Sequence, residues 1–287
     1  MIRLIGCFLF LVVSMQGFAQ PASEIYLFDL KIKKDKVSIS NGKNITNHAG
    51  YDNQPSFHPD EPLVYYSQAD TSGRTDIIVY DYLKNATKHI TETSEREFSP
   101  TLTPDGKFLS CIVQRDDGVQ DLAKYPAQGG TPIVLIDNLK VGYHAWVNEA
   151  DLILFVLGEP HTLRWYSTLN KKDTILAENI GRSLHKIPKS PDMSFVDKSA
   201  DSWIIKELDA KSKVASDITA TLPGHEDLSW TPDGKIIMSD GEKLFYFDQG
   251  SSKEWKEVEI SSPLKLKGVT RLSVNKKGNK IAIVATE

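Results

Sequence analysis

The feature of this sequence that most constrains its fold is a short turn motif that recurs at nearly constant spacing. Pro-Asp-Gly occurs at residues 104–106 and 232–234, and a short apolar run follows each copy. Proline presets φ, aspartate bonds to nearby backbone and glycine accepts positive φ, so the motif favours a tight hairpin between two strands. With looser copies included, the repeat anchors are Pro59, Pro104, Asn148, Pro191, Pro232 and Lys276, which lie 45, 44, 43, 41 and 44 residues apart.

A second pattern follows the first five anchors and resembles the third strand of a repeating unit. These segments are residues 77–81, 121–125, 162–166, 204–208 and 243–247, and a sixth copy lies at 25–29 with no anchor before it. The last anchor has no such segment after it. We therefore expect residues 23–46 to supply the third and fourth strands of the unit whose first two strands are residues 272–284.

The repeat predicts an all-β fold, a six-bladed β-propeller of four-stranded blades, formed by residues 20–287 as a single domain. The step length suits one propeller blade. N-terminal strands that complete the last blade would close the ring and leave no open array of exposed sheet edges. Helical repeats need apolar residues at helical spacing, and no long stretch of the sequence shows it.

Residues 1–19 have the pattern of a secretory signal peptide. Arg3 precedes an apolar run at residues 4–13, and Gly17 and Ala19 supply small residues at the −3 and −1 positions of a cleavage site. The sequence predicts cleavage after Ala19, a mature chain without a transmembrane segment, and a periplasmic or secreted protein. Residues 4–7 match the letters of a lipoprotein box, but they precede most of the apolar run instead of following it, which disfavours lipidation.

Composition and motifs exclude several function classes. The 34 Lys and Arg residues against 38 Asp and Glu, a net charge of −4, disfavour a nucleic-acid partner. No His-Glu-x-x-His motif, Cys/His cluster or EF-hand loop occurs, so we expect no metal and no cofactor. No Gly-x-Ser-x-Gly elbow of a serine hydrolase occurs either. We expect a monomer.

The repeat resembles that of a known family. The closest copy, residues 99–107 with the sequence SPTLTPDGK, is similar to the WD-like repeats of the TolB propeller family. The likeness extends over essentially all of residues 20–287. It implies a propeller that serves as a binding platform, and the expectation is a propeller without the α/β domain that precedes it in TolB.

The first strand of each propeller blade lines the central channel, so residues that lead into those strands are candidates for ligand contact. The corresponding segments here are rich in His, Arg, Asp and Glu, and such loops often carry binding residues. The candidate ligand-binding residues at the channel mouth are Glu97, Tyr143, His144, Arg182, His185, Glu226, Asp227 and Arg271.

Three functional hypotheses remain open. The first is a binding module that presents one face to an envelope protein, a small molecule or a peptide, without covalent chemistry. The second is a hydrolase or lyase at the channel mouth, where His, Arg and carboxylate groups act as acid, base and charge stabiliser. The third is an interaction scaffold with a plugged channel and an exposed apolar patch. Convergence of the candidate residues on a pocket favours the second hypothesis, and pairing between blades disfavours it.

Overall fold

A computed structural model describes residues 22–34, 36–251 and 253–286 of the protein. Regular structure in these residues is entirely β-strand, arranged as six antiparallel blades in the propeller that the repeat predicts. No helix in this part of the chain is long and apolar enough to cross a membrane. The predicted signal peptide, residues 1–19, lies outside the described residues.

The strands are numbered in chain order. The chain begins with β1 (Ser23–Lys33) and β2 (Lys36–Asn44). Blade 1 contains β3 (Asp52–Phe57), β4 (Leu63–Ala69), β5 (Thr75–Asp81) and β6 (Ala86–His89), and blade 2 contains β7 (Arg96–Leu102), β8 (Phe108–Gln114), β9 (Gln120–Pro126) and β10 (Ile133–Ile136). Blade 3 contains β11 (Val141–Trp146), β12 (Asp151–Val156), β13 (Thr162–Ser167) and β14 (Lys172–Glu178).

The second half of the chain continues the same order. Blade 4 contains β15 (His185–Lys186), β16 (Met193–Asp197), β17 (Ile204–Leu208) and β18 (Ala215–Ala220). Blade 5 contains β19 (Leu228–Trp230), β20 (Ile236–Ser239), β21 (Leu244–Phe247) and β22 (Lys256–Glu257). The remaining strands are β23 (Glu259–Ser261), β24 (Arg271–Val274) and β25 (Lys280–Thr286).

Both ends of the described chain build blade 6. Its strand order is β24, β25, β1, β2, and β1 runs antiparallel to β25 from Ser23 opposite Thr286 to Asp29 opposite Lys280. This pairing confirms the predicted ring closure. The sequence did not predict the fifth strand, β23, which pairs in parallel with β2. It lies in the connection from blade 5 to β24, where it covers the outer edge of the closing blade.

The apolar core lies between the blades. Each of six clusters of buried side chains combines two neighbouring blades: Val64 of blade 1 packs with Val284 of blade 6, and Tyr65 of blade 1 packs with Cys111 of blade 2. The two faces of each strand alternate, so one blade contributes side chains to both of its neighbours. Blades therefore stabilise one another around the ring.

Two tryptophans add polar bonds to these interfaces at equivalent positions. The indole N–H of Trp146, on the innermost strand of blade 3, donates to Ser110 Oγ of blade 2 at 2.9 Å. The indole N–H of Trp230, on the innermost strand of blade 5, donates to Ser194 Oγ of blade 4 at 2.8 Å. These bonds orient both rings and satisfy their only polar group.

Gly42 of β2 lies in close contact with neighbouring side chains of the closing blade. A Cβ atom at this position would lie 2.7 Å from Phe28 Cζ and 2.9 Å from Leu264 Cδ1. We expect Gly42→Ala to lower the free energy of unfolding by about 1–3 kcal/mol, because added volume in a packed core forces neighbours to move. The measurement is urea denaturation. The matched control is Gly250→Ala, whose Cβ would meet only Asp248 Oδ1, at 3.6 Å. Equal effects of the two substitutions would contradict the prediction.

Candidate functional site

Three successive cavities lined by described residues lie along the central channel. The loop-side compartment, about 410 Å³, opens where the chain leads into the inner strands, and its lining includes Tyr51, Gln54 and Tyr143. The turn-side compartment, about 820 Å³, opens at the Pro-Asp-Gly turns and includes Trp146 and Trp230. A middle compartment of about 140 Å³ shares lining residues with both.

A hydrogen bond spans the channel between the loop-side and turn-side compartments. Arg271 Nη2 of blade 6 donates to Tyr143 Oη of blade 3 at 2.7 Å. Blades 3 and 6 are opposite each other in a ring of six. The guanidinium carbon also lies 4.8 Å from the centroid of the Tyr143 ring, within the range of a cation–π interaction. The side chains of two opposite blades thus meet on the channel axis.

Asp227 joins this bond to a second arginine. Its Oδ1 accepts hydrogen bonds from Arg271 Nη1 and Arg182 Nε, each at 3.1 Å, and its Oδ2 accepts from Arg182 Nη2 at 2.6 Å. Burial disfavours the charged form of Arg182, but the hydrogen bonds and charge of Asp227 outweigh it and raise the pKa of the guanidinium. Arg182 therefore remains a cation at the channel mouth.

The repeat explains why these residues meet. Arg182 and Asp227 are 45 positions apart, and Asp227 and Arg271 are 44 positions apart, close to one blade each. Equivalent positions in neighbouring blades lie at the same height in the channel. Gly181 permits a close approach at this level, because a Cβ there would lie 2.5 Å from Glu226 Oε2.

Glu226 adjoins the network but bonds between blades. Its Oε2 accepts the backbone N–H of Arg182 at 2.8 Å, and its Oε1 lies 3.5 Å from Lys198 Nζ. With both arginines and Lys198 counted against Glu226 and Asp227, the cluster has three cations and two anions. This cluster thus carries one surplus positive charge.

The two predicted histidines lie deeper in the channel. His144 Nε2 is 2.7 Å from Ser110 Oγ, and His185 Nε2 is 2.9 Å from Ser183 Oγ. Burial lowers the pKa of each imidazole to about 4, so both are uncharged at neutral pH. Ser110 Oγ already donates to the Thr101 carbonyl at 3.0 Å, so His144 must donate through Nε2–H. Its buried Nδ1 has no hydrogen-bond partner among the described residues.

Glu97 lies apart from the other predicted residues. Its carboxylate is buried beside blade 1 and accepts hydrogen bonds from Thr93 Oγ1 at 2.6 Å and Tyr125 Oη at 2.9 Å. Burial raises its pKa. It is not among the described residues that line the three compartments. The segment Thr91 to Arg96 folds over this carboxylate, an arrangement that repeat position alone does not indicate.

Two contributors to the channel were not among the eight candidate residues. Gln54 is a residue of β3. Its Oε1 accepts hydrogen bonds from Ser67 Oγ at 3.1 Å and from the Ser99 N–H at 2.8 Å. The turn-side compartment as a whole was also missed. The sequence pattern that could have indicated this compartment is the apolar residue that precedes most of the repeat turns.

No group of three or more His, Cys, Asp or Glu side chains within the described ranges is placed to hold a metal ion. The charged network can instead bind and orient an anionic group. Guanidinium groups suit carboxylates because their planar N–H donors match two carboxylate oxygens.

The fold is similar to several solved structures at low sequence identity. A structure of putative TolB from Agrobacterium tumefaciens has a TM-score of 0.70 and 14% identity, over 93% of this chain and 98% of that one. TolB from Acinetobacter baumannii has a TM-score of 0.58 and 12% identity, over 96% of this chain and 66% of that one. An oligogalacturonate lyase in complex with manganese has a TM-score of 0.60 and 11% identity, over 88% and 83%.

These similarities establish a propeller fold like that of TolB structures, and fold alone does not assign activity. No protein-family model matches the chain, and no curated protein sequence matches it.

The buried histidines predict a pH dependence of stability. Between about pH 6.5 and 4, the unfolded chain binds protons at these positions and the native protein does not, so acidification favours unfolding. We expect His144→Gln to reduce this pH slope by up to about 1.4 kcal/mol per pH unit. Urea denaturation at several pH values measures the slope.

The control for this experiment is His89→Gln, because the His89 side chain is 53% exposed. Asp52, whose pKa burial raises to about 7, contributes a slope of opposite sign. The comparison is therefore between each variant and the unmodified protein, in which Asp52 is constant. An unchanged slope in His144→Gln would show that His144 titrates normally in the native state.

Proposed function

We propose that this protein is an exported, TolB-like propeller of the bacterial envelope that binds a carboxylate-bearing ligand in its loop-side compartment. The ligand is a small organic acid or the C-terminus of a peptide, and no covalent chemistry is involved. The observation that carries the proposal is the network in which Arg271 reaches across the channel to Tyr143 while sharing Asp227 with Arg182.

The network leaves binding capacity for an anion. A guanidinium has five N–H donors, and the bonds to Asp227 and Tyr143 use two of those on Arg271. The surplus positive charge favours an incoming carboxylate. A second tyrosine, Tyr51, lines the same compartment. Burial raises the pKa of Tyr51 against the opposing charge of Arg271, so its hydroxyl stays protonated and can donate a hydrogen bond.

The size and polarity of the loop-side compartment fit a small acid. Its volume of about 410 Å³ lies in the usual range for small-molecule pockets. Gln54, Gln114 and Gln120 add neutral amide groups around the charged floor. Such a pocket can recognise hydroxyl groups next to a carboxylate, as in a sugar acid, or the backbone of a peptide terminus.

A lyase that acts on acidic sugars is the second candidate, favoured by the similarity to an oligogalacturonate lyase structure. General acid–base catalysis is most efficient when the pKa of the catalytic group lies near the working pH. Both channel histidines titrate at about 4, and Arg182 has a raised pKa. These shifts support binding over acid–base chemistry.

Thermal unfolding with added acids tests the binding proposal. The probes are succinate, galacturonate, digalacturonate and one short peptide with a free or an amidated C-terminus. A ligand of the native state raises Tm, and a concentration one hundred times Kd adds about 2.7 kcal/mol of stability. We expect at least one free carboxylate to raise Tm, and we expect Arg271→Gln to weaken its binding at least tenfold.

The matched control is Arg164→Gln. Arg164 pairs with Asp173 at 2.8 Å on the outer part of blade 3 and is similarly part-exposed, but it does not line the compartments among the described residues. Its removal should leave ligand binding unchanged. No rise in Tm with any probe, or equal loss in both arginine variants, would overturn the proposal. An ultraviolet absorbance increase from unsaturated uronides on incubation with digalacturonate would establish the lyase instead.

The proposed export has its own test. Expression of residues 1–287 in a Gram-negative host should yield a periplasmic protein whose intact mass is that of a chain beginning at Gln20. Ala19→Arg should prevent cleavage, because the −1 position requires a small residue. A chain that begins at residue 20 serves as the control and should remain in the cytoplasm. If cells that express the unmodified sequence contain the uncleaved protein in their cytoplasmic fraction, export is contradicted.

A further inference from the structure

The turn-side compartment has a ring of side chains that the backbone register defines. In each blade a turn connects the first strand to the second. The first residue of this turn donates its backbone N–H to a backbone carbonyl at the other end of the turn or at the start of the second strand, at 2.8–3.1 Å. The donors are His58, Thr103, Val147, Ile187, Thr231 and Asn275. The residue before each donor lines the compartment: Phe57, Leu102, Trp146, Lys186, Trp230 and Val274. Five of the six ring positions are therefore apolar, and one is a lysine.

The tryptophans of this ring offer apolar surface. The indole N–H groups of Trp146 and Trp230 are already bonded to serines of the preceding blades. Trp146, which is half-buried, therefore presents ring surface to a ligand in a fixed orientation, whereas Trp230 is 8% exposed and packs mostly between blades 4 and 5. Aromatic bodies stack favourably on such surfaces.

The charge of the turn-side compartment has one sign. Lys186, Lys189 and Lys276 line it, and no Asp or Glu is among its described lining residues. Lys186 Nζ donates to the carbonyl of Val147 at 2.7 Å, a neutral partner that leaves its positive charge uncompensated. Lys276 pairs with Asp60 at 3.0 Å, but both side chains are largely exposed, so that pair is weak. The channel histidines, whose pKa burial lowers, add no charge at neutral pH.

We infer that the turn-side compartment is a second binding site, specific for a small organic anion with an aromatic or apolar body. The body lies mainly against Trp146, and the anionic group lies at Lys186. The charge complementarity and the apolar ring together select this class, because a neutral apolar molecule would leave the lysines unused and a hydrophilic anion would leave the ring unused.

This site is separate from the loop-side compartment. The bond between Arg271 and Tyr143 crosses the channel between the two. Both described ends of the chain lie at the loop face, where the Ser23 N–H donates to the Gly50 carbonyl and Ser23 lies opposite Thr286. Binding in the turn-side compartment therefore does not depend on the proposed function of the loop-side compartment.

The test uses two fluorescent probes of similar shape. The anionic probe is 8-anilinonaphthalene-1-sulfonate and the neutral probe is N-phenyl-1-naphthylamine, with the folded protein of residues 20–287. We expect the sulfonate to bind saturably at one site, with a Kd at least fivefold lower than that of the neutral probe. Added salt should raise the Kd of the sulfonate only, because it screens the lysines.

Three variants locate the site. Lys186→Gln should raise the Kd of the sulfonate probe at least fivefold and leave the Kd of the neutral probe unchanged. Ser273→Phe, which puts a ring into the compartment from β24, should abolish binding of both probes while thermal unfolding confirms the fold. Lys124→Gln is the control, because Lys124, whose Nζ lies 4.2 Å from the Phe108 centroid, does not line the compartment among the described residues.

Two results would overturn the inference. One is equal affinity for the sulfonate and the neutral probe, or an unchanged sulfonate Kd in Lys186→Gln. The other is full binding of the sulfonate in a folded Ser273→Phe protein. Acids that raise Tm by binding in the loop-side compartment should not displace the sulfonate probe. Binding at the two compartments can therefore fail or succeed independently.

Discussion

The pairing of β1 with β25 closes the ring, and every interface between blades relies on that closure. Each blade stabilises itself by packing against both neighbours, so a ring with one open joint would expose the apolar faces of two blades. The seven residue pairs from Ser23 with Thr286 to Asp29 with Lys280 close that joint. Closure also sets the channel, because the positions of Arg271 and Tyr143 across its axis follow from a complete ring of six.

The channel has two halves of different chemistry because charged residues gather where the chain leads into the inner strands, and five of the six residues at the ends of those strands are apolar. At the loop face, positions one blade apart place Arg182, Asp227 and Arg271 side by side, where opposite charges bond directly. At the turn face, a spacing of two blades places Trp146 and Trp230 around a wider cavity. A ligand that enters from one face thus meets charge, and one from the other meets aromatic surface with lysines.

Much of this organisation was predictable from the repeat. The six blades, their order and the closing role of the N-terminal strands follow from spacing, because hairpin turns and strand lengths are local properties. The site was predictable only in part. Arg182 and Arg271 were identified as mouth residues, but Glu97, at a comparable repeat position, is buried against Thr93 and Tyr125. Repeat position sets the height of a residue in the channel, whereas the direction of its side chain depends on neighbouring loops.

From the sequence alone follow the type of fold, the number of blades and the segments that lead into the inner strands, because these depend on turns and strands that form from a few consecutive residues. Only the tertiary structure decided which of those residues interact. The contact of Arg271 with Tyr143 joins residues 128 positions apart, and the fifth strand of blade 6 pairs segments from distant parts of the chain. Such contacts depend on the relative placement of whole blades, which the packing between them sets and local sequence does not encode.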